Sequence, residues 1–87
     1  MYLHIGGETV INTKDIIGIF DLDTSTMSYK TREFLSLAEK KDRVVNVSYE
    51  LPKSYVICSE GKDFRIYICQ LSPTTILKRS SGYLTGK

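Results

Sequence analysis

The chain has 87 residues, a formal net charge of +2 and 41% hydrophobic residues, which together predict one small globular domain. No apolar stretch approaches the ~20 residues of a membrane span, and the first residues lack the pattern of a signal peptide. We therefore expect a cytoplasmic protein that does not contact a membrane. Its 12 basic and 10 acidic residues are interspersed, so any surface for nucleic acid must come from local clustering.

The first part of the chain predicts three strands. Two short apolar segments flank Gly6-Gly7, and this spacing is typical of a hairpin because both glycines can adopt positive φ. Residues 12–15 are polar and predict a turn. Residues 16–20, with the sequence IIGIF, form a continuous apolar run, as expected of a strand buried on both faces.

A helix is predicted from about Thr26 to Lys41. Residues 21–28 are mainly short acidic and hydroxyl residues, which favour helix caps. Five residues recur at helical spacing and form one face of the helix: Met27, Thr31, Phe34, Leu35 and Ala38. No glycine follows, so either Lys41 or Asp42 must end the helix.

The second half predicts an antiparallel meander of three strands, residues 44–49, 54–59 and 64–70. Ser72-Pro73 then predicts a short helix through Arg79, since serine is a good cap and proline suits the first helical position. Residues 1–79 would form the single domain and residues 80–87 a flexible tail. The sequence thus predicts an α+β fold with a small antiparallel sheet.

Pairing the last two strands about Gly61 and Lys62 gives the sheet two apolar faces. Ile57 then lies opposite Ile66, on one face with Tyr55, Phe64 and Ile68. The other face carries Val45, Val47, Val56, Cys58 and Tyr67. One amphipathic helix can cover only one face, so the other needs the N-terminal hairpin, another subunit, or both.

No motif in the chain predicts catalysis. The segment Asp21-Leu22-Asp23 after an apolar strand resembles the first motif of haloacid-dehalogenase-type phosphatases, but a chain of 87 residues has no room for the rest of that fold. His4 is the only histidine, and the predicted register separates Cys58 from Cys69 by about 13 Å, too far for a disulfide. We therefore predict no enzyme activity, metal, cofactor or small-molecule ligand.

Four strings in the chain resemble the bacterial extracellular matrix regulatory protein family (RemA and RemB), closest to its RemB branch. They are FDLD, TREFL, VVNVSYELPKS and SPTTILKR, and together the resemblance runs from Tyr2 to about Arg79. It implies a small transcription regulator associated with biofilm-matrix genes. It also implies a protomer similar to the LytTR type of DNA-binding domain, assembled into a ring-shaped homo-oligomer that holds DNA against a basic outer rim.

The resemblance points to a small set of basic residues as DNA contacts. Lys14 and Lys53 are the strongest candidates, with Lys30 and Arg32 as supporting phosphate contacts. The other cations include Lys40, Lys41 and Arg43 at the helix end and Arg65 on the last strand.

The chain departs from the family pattern at one turn. The RemA branch has two arginines directly after the tyrosine of the first meander turn, whereas here Glu50, Leu51 and Pro52 follow Tyr49. Two interpretations stay open. The chain binds DNA through its remaining cations, or it is an oligomeric protein-interaction module that does not bind DNA and uses the Leu51-Pro52 turn as its contact.

Overall fold

The computed structural model describes residues 2–22, 28–47 and 50–84, with the backbone alone for residues 80–84. Its elements in chain order are β1 (Tyr2–Gly6), β2 (Thr9–Asn12), a 3-10 turn (Thr13–Asp15), β3 (Ile16–Asp21), α1 (Tyr29–Lys40), β4 (Val44–Asn46), β5 (Ser54–Glu60), β6 (Asp63–Cys69) and α2 (Pro73–Leu84). Strands β1 and β2 form a hairpin of their own. The other four form one sheet in the order β3-β5-β6-β4. The predicted α+β class is confirmed.

The predicted meander is wrong in its strand order. Strand β5 pairs with β3 on one side and β6 on the other, and β4 lies parallel to β6 at the far edge. The connection from β4 to β5 crosses the end of β6, where the Val47 N–H donates to Ile68 O at 2.9 Å and the Lys53 N–H donates to Cys69 O at 2.9 Å. Because β3 and β6 occupy the two sides of β5, β4 cannot pair with β5 and lies instead at the outer edge of β6. The last two predicted residues of this strand, 48 and 49, lie outside the described residues.

The predicted register of β5 and β6 is confirmed. Ile57 pairs with Ile66, and Cys58 with Arg65. Both cysteines are buried and free, and they lie at different levels of the same sheet face. They act there as small apolar side chains.

Helix α1 covers one face of the sheet. Its cap is Ser28, whose Oγ accepts a hydrogen bond from the Thr31 N–H at 3.2 Å, so the helix begins after the predicted Thr26. Residues 26 and 27 lie outside the described residues. The helix ends at Lys40, and the backbone then turns at Asp42 with φ of 62°, a conformation that glycine usually adopts. The cluster beneath it contains Ala38, Leu35, Tyr55, Ile66, Ile57, Ile68 and Phe64.

The hairpin and α2 together cover the other face of the sheet. This core contains Leu3, Ile5, Ile11, Val56, Cys58, Cys69 and Ile76. Helix α2 starts at the predicted Ser72 cap but extends to Leu84, beyond the predicted Arg79. Because one chain covers both sheet faces, an additional subunit is not required for that purpose. Of the alternatives that the sequence left open, covering by the hairpin is the one observed, with α2 beside it.

Strand β3 differs most from its sequence-based description. The run IIGIF was expected to be buried on both faces, but β3 is an edge strand, with Ile17 64% and Phe20 41% exposed. The register shifts between Ile16 and Gly18, which marks a bulge at Ile17. Continuous apolar runs are found in edge strands as well as in central ones, so the pattern alone could not fix the position.

In the described parts of the chain, neither helix is long and apolar enough to cross a membrane.

Candidate nucleic-acid interface

Lys14 lies just before β3, in the 3-10 turn that follows the hairpin. The turn is capped by Asn12, whose Oδ1 accepts a hydrogen bond from the Lys14 N–H at 3.0 Å. The Lys14 side chain is exposed. The Asn12 cap therefore fixes the backbone that holds the Lys14 cation next to the edge of the sheet.

Lys53 lies just before β5, beside the C-terminal end of β3. Its backbone N–H donates to Cys69 O at 2.9 Å, and its carbonyl accepts from the Leu22 N–H at 3.0 Å. These bonds join the ends of β3 and β6 to the beginning of β5. The backbone of Lys53 is thus tied to the sheet on two sides, while its side chain is exposed.

The two lysines do not form one compact patch in a single subunit. Strand β3 separates them, and at about 3.3 Å per residue their backbones are roughly 20 Å apart. One DNA strand carries a phosphate about every 3.4 Å along the helix axis, so this separation corresponds to roughly six nucleotides. Both lysines can therefore reach one duplex if it runs along the β3 edge.

Helix α1 carries the other two predicted contacts. Lys30 is exposed in the first turn. Arg32 lines a groove of about 500 Å³ between α1 and the sheet, together with Leu22, Leu35, Ser36, Glu39, Lys40 and Ile68. Since Leu22 is bonded to Lys53, Arg32 lies at the Lys53 end of the sheet. Among the described residues, the ammonium groups of Lys14, Lys30 and Lys53 form no ion pair.

Two of the other arginines form ion pairs with carboxylates at the β5–β6 turn, which neutralise their charge. Arg43 bonds to Asp63 at 2.6 Å and to Glu60 at 3.3 Å, and Arg65 bonds to Glu60 at 2.6 Å. The hydrogen bond from Arg65, with the charges of both guanidinium groups, lowers the pKa of Glu60. This cluster ties the turn to the segment after α1, so Arg43 and Arg65 are poor candidates for phosphate contacts. No spacing in the sequence could have revealed these pairs.

Leu51 forms an apolar tip beside Lys53. Its side chain is 86% exposed, more than any other large hydrophobic residue in the described chain. Glu50, Leu51 and Lys53 line one shallow groove with Gln70 and Leu71, and Pro52 and Lys53 line a second. An acidic and an apolar residue therefore stand next to Lys53, one of the predicted phosphate contacts.

A polar cleft of about 430 Å³ separates the hairpin from the β5–β6 end, and Cys58 and Asp15 contribute to its lining. Burial, with a further effect of the Asp15 charge, raises the pKa of the Cys58 thiol to about 11. The thiol is therefore protonated at neutral pH and is a poor nucleophile. Among the described residues, no group of three or more His, Cys, Asp or Glu side chains is placed to hold a metal ion.

Comparison with known proteins identifies similarity over almost the whole chain. A family model described as RemA-like, extracellular matrix regulatory protein A-like, matches residues 2–79. The extracellular matrix regulatory protein B of Bacillus subtilis (strain 168) is 39% identical over 80 residues, which cover 92% of this chain and 90% of that protein.

Proposed function

This chain belongs to the RemA-like family of extracellular matrix regulatory proteins, and we propose that it regulates transcription in a bacterial cytoplasm by binding DNA as a ring-like homo-oligomer. Lys14 and Lys53 carry the proposal, because they place exposed cations at the two ends of one open strand edge. The DNA backbone would lie along this edge, and Arg32 and Lys30 would add phosphate contacts from α1.

Assembly is needed because each subunit offers few cations. Phosphate contacts supply most of the sequence-independent affinity, and two to four lysine or arginine contacts give only weak binding. Repeating them around an oligomer makes each later contact intramolecular and raises the effective concentration of the remaining sites. The chain would therefore bind DNA as an assembly and only weakly as a single subunit.

A protein-interaction module is the second candidate function, and the Leu51 tip favours it. An exposed leucine next to a glutamate does not suit a phosphate backbone, because the leucine offers no hydrogen bond and the carboxylate repels the anion. An exposed apolar tip suits the centre of a protein contact better.

Leu51→Arg distinguishes the two functions. If DNA runs along β3, a cation beside Lys53 adds a phosphate contact, strengthens binding several-fold and steepens the salt dependence by about 0.9 in the log–log slope. We expect this result in a fluorescence anisotropy titration with a labelled duplex. Leu77→Arg is the matched control, since it adds the same charge at a half-exposed leucine of α2.

Equal gains in both variants would indicate a general charge effect and contradict the proposed position of DNA. No detectable DNA binding by Leu51→Arg or the unmodified protein at low salt would favour the protein-interaction module.

A further inference from the structure

We infer that Ile17 enters the minor groove of the bound duplex as an apolar wedge and unstacks one base step. The inference rests on the DNA binding proposed above and names the residue that gives this binding its sequence preference. It leaves the phosphate contacts with Lys14 and Lys53, because an isoleucine adds no charge.

Ile17 is the residue of β3 that the fold leaves outside its cores. Its side chain is 64% exposed and belongs to neither of the two apolar clusters that the described residues form, whereas Ile16 and Ile19 pack on the hairpin side. The register shift between Ile16 and Gly18 makes Ile17 the extra residue of a bulge. Bulges often redirect a side chain next to a functional site. The strand therefore fixes the backbone of Ile17 while its side chain stays accessible to a partner.

Ile17 lies between the two cations assigned to the DNA backbone. Lys14 precedes it by three residues, or roughly 10 Å, and Lys53 lies beside the C-terminal end of β3. A duplex whose phosphates contact both lysines must therefore pass Ile17. Of the nearby carboxylates, Asp15 lines the polar cleft, and Asp21 is roughly 13 Å from Ile17 along the strand.

The composition of the strand decides how this edge contacts bases. From Ile16 to Phe20 no side chain donates or accepts a hydrogen bond, so these side chains cannot read the hydrogen-bond pattern of base pairs. The major groove also accommodates an α-helix or a two-stranded ribbon better than the edge of one strand. Proteins that present isoleucine, leucine or phenylalanine to the minor groove insert the side chain between base pairs. The cost of unstacking is lowest at flexible steps such as TA, so the preference follows the deformability of the DNA.

Phe20 provides a second apolar surface on the same edge. Its ring is 41% exposed and stacks on the buried Tyr55, with ring centroids 5.0 Å apart. The ring also lies over Gly18, where an added Cβ would come within 2.6 Å of the Phe20 Cε2. These contacts hold the ring in one orientation, three residues from Ile17, where it can pack against the deoxyribose groups of the groove wall.

The bulge also disfavours a protein strand as the partner of this edge. Bulges are one of the features by which proteins prevent an exposed edge from pairing with another strand. Here the bulge interrupts the regular register near the middle of β3. The exposed apolar residues of the edge are therefore better suited to DNA than to an added strand.

Ile17→Ser tests the wedge on duplexes in which 2-aminopurine, whose fluorescence rises when it loses stacking, replaces adenine at TA steps. The unmodified protein should raise the fluorescence and bind these duplexes several-fold more tightly than a stiff A-tract duplex. Ile17→Ser should lose both effects and bind the TA duplex about tenfold more weakly, because the burial of the isoleucine is lost. Its salt slope should stay the same, since no phosphate contact is removed.

Two further variants serve as controls. Ile17→Leu keeps an apolar side chain of the same size and should retain the fluorescence change. Leu37→Ser removes a leucine that is 50% exposed near the end of α1, which leads to β4 at the other edge of the sheet, and should leave DNA binding unchanged. Circular dichroism and sedimentation establish that each variant is folded and assembled.

A folded and assembled Ile17→Ser variant that keeps the fluorescence change and the preference for TA steps would overturn the wedge and leave the proposed function intact. Loss of assembly in this variant would place Ile17 between copies of the chain and would also overturn it. The same holds if a single strand of the same sequence binds more tightly than the duplex, which would indicate base stacking on the edge. Absence of duplex binding by the assembled, unmodified protein would contradict the proposed function itself.

Discussion

Replacing both Lys14 and Lys53 by glutamate is expected to remove most of the DNA affinity while the chain remains folded. Each substitution deletes a phosphate contact and adds a repulsive charge, so the double variant changes the local charge by four units in every subunit. The expected loss is about a hundredfold or more at low salt, with the log–log salt slope reduced by about 0.9 for each lost contact. Both side chains are exposed, so stability should change little.

Lys41→Glu with Lys78→Glu provides the matched control for this variant. The same number of exposed charges is reversed, but after α1, beside the β4 edge of the sheet, and on α2. An equal loss of affinity in the control would show that only net charge matters and would contradict the assigned interface. Sedimentation of each variant in the titration buffer establishes whether its assembly state is unchanged.

Leu3→Ala is expected to lower the free energy of unfolding by about 2–5 kcal/mol, the usual effect of truncating a fully buried leucine. Leu3 is 1% exposed and belongs to the core between the hairpin and the sheet. Val10 lies on the same hairpin but is 50% exposed, and Val10→Ala should change stability by less than about 0.5 kcal/mol. Urea unfolding followed by circular dichroism measures both.

The comparison tests how the second sheet face is covered. Similar small effects of both substitutions would mean that the hairpin does not pack on the sheet in solution. The face would then need the second subunit that the sequence left as an alternative.

The sequence predicted the parts of the fold that local interactions determine. Gly61 and Lys62 define a tight turn between two alternating strands, so the register that places Ile57 opposite Ile66 followed directly. The helix face with Ala38 followed from its 3.6-residue period, and the start of α2 from the Ser72 cap.

Strand order could not be predicted in the same way, because it depends on which edges are still free when distant segments meet. The apolar patterns of β3 and β4 identify them as strands but do not state which neighbour each one takes. The sequence pattern therefore predicts β4 beside β5, although β4 pairs with β6, and predicts an enclosed β3, although β3 is an edge strand.

The candidate site was only partly predictable for a similar reason. Lys14 and Lys53 could be placed at turns from the sequence, but their positions at opposite ends of one strand depend on the pairing of β3 with β5. Arg43 and Arg65 are poor phosphate contacts because they form ion pairs. The side chains of these pairs come from three segments that meet only in the folded chain.

The affinity of the unmodified protein for duplex DNA as a function of salt tests the central proposal most directly. Fluorescence anisotropy should be measured from about 50 to about 200 mM salt, the range in which phosphate contacts weaken strongly. Sedimentation in the same buffers reports the assembly state. We predict that the assembled protein binds at the lowest salt and that log affinity falls linearly with log salt. An assembled protein that shows no binding at the lowest salt would contradict the proposal.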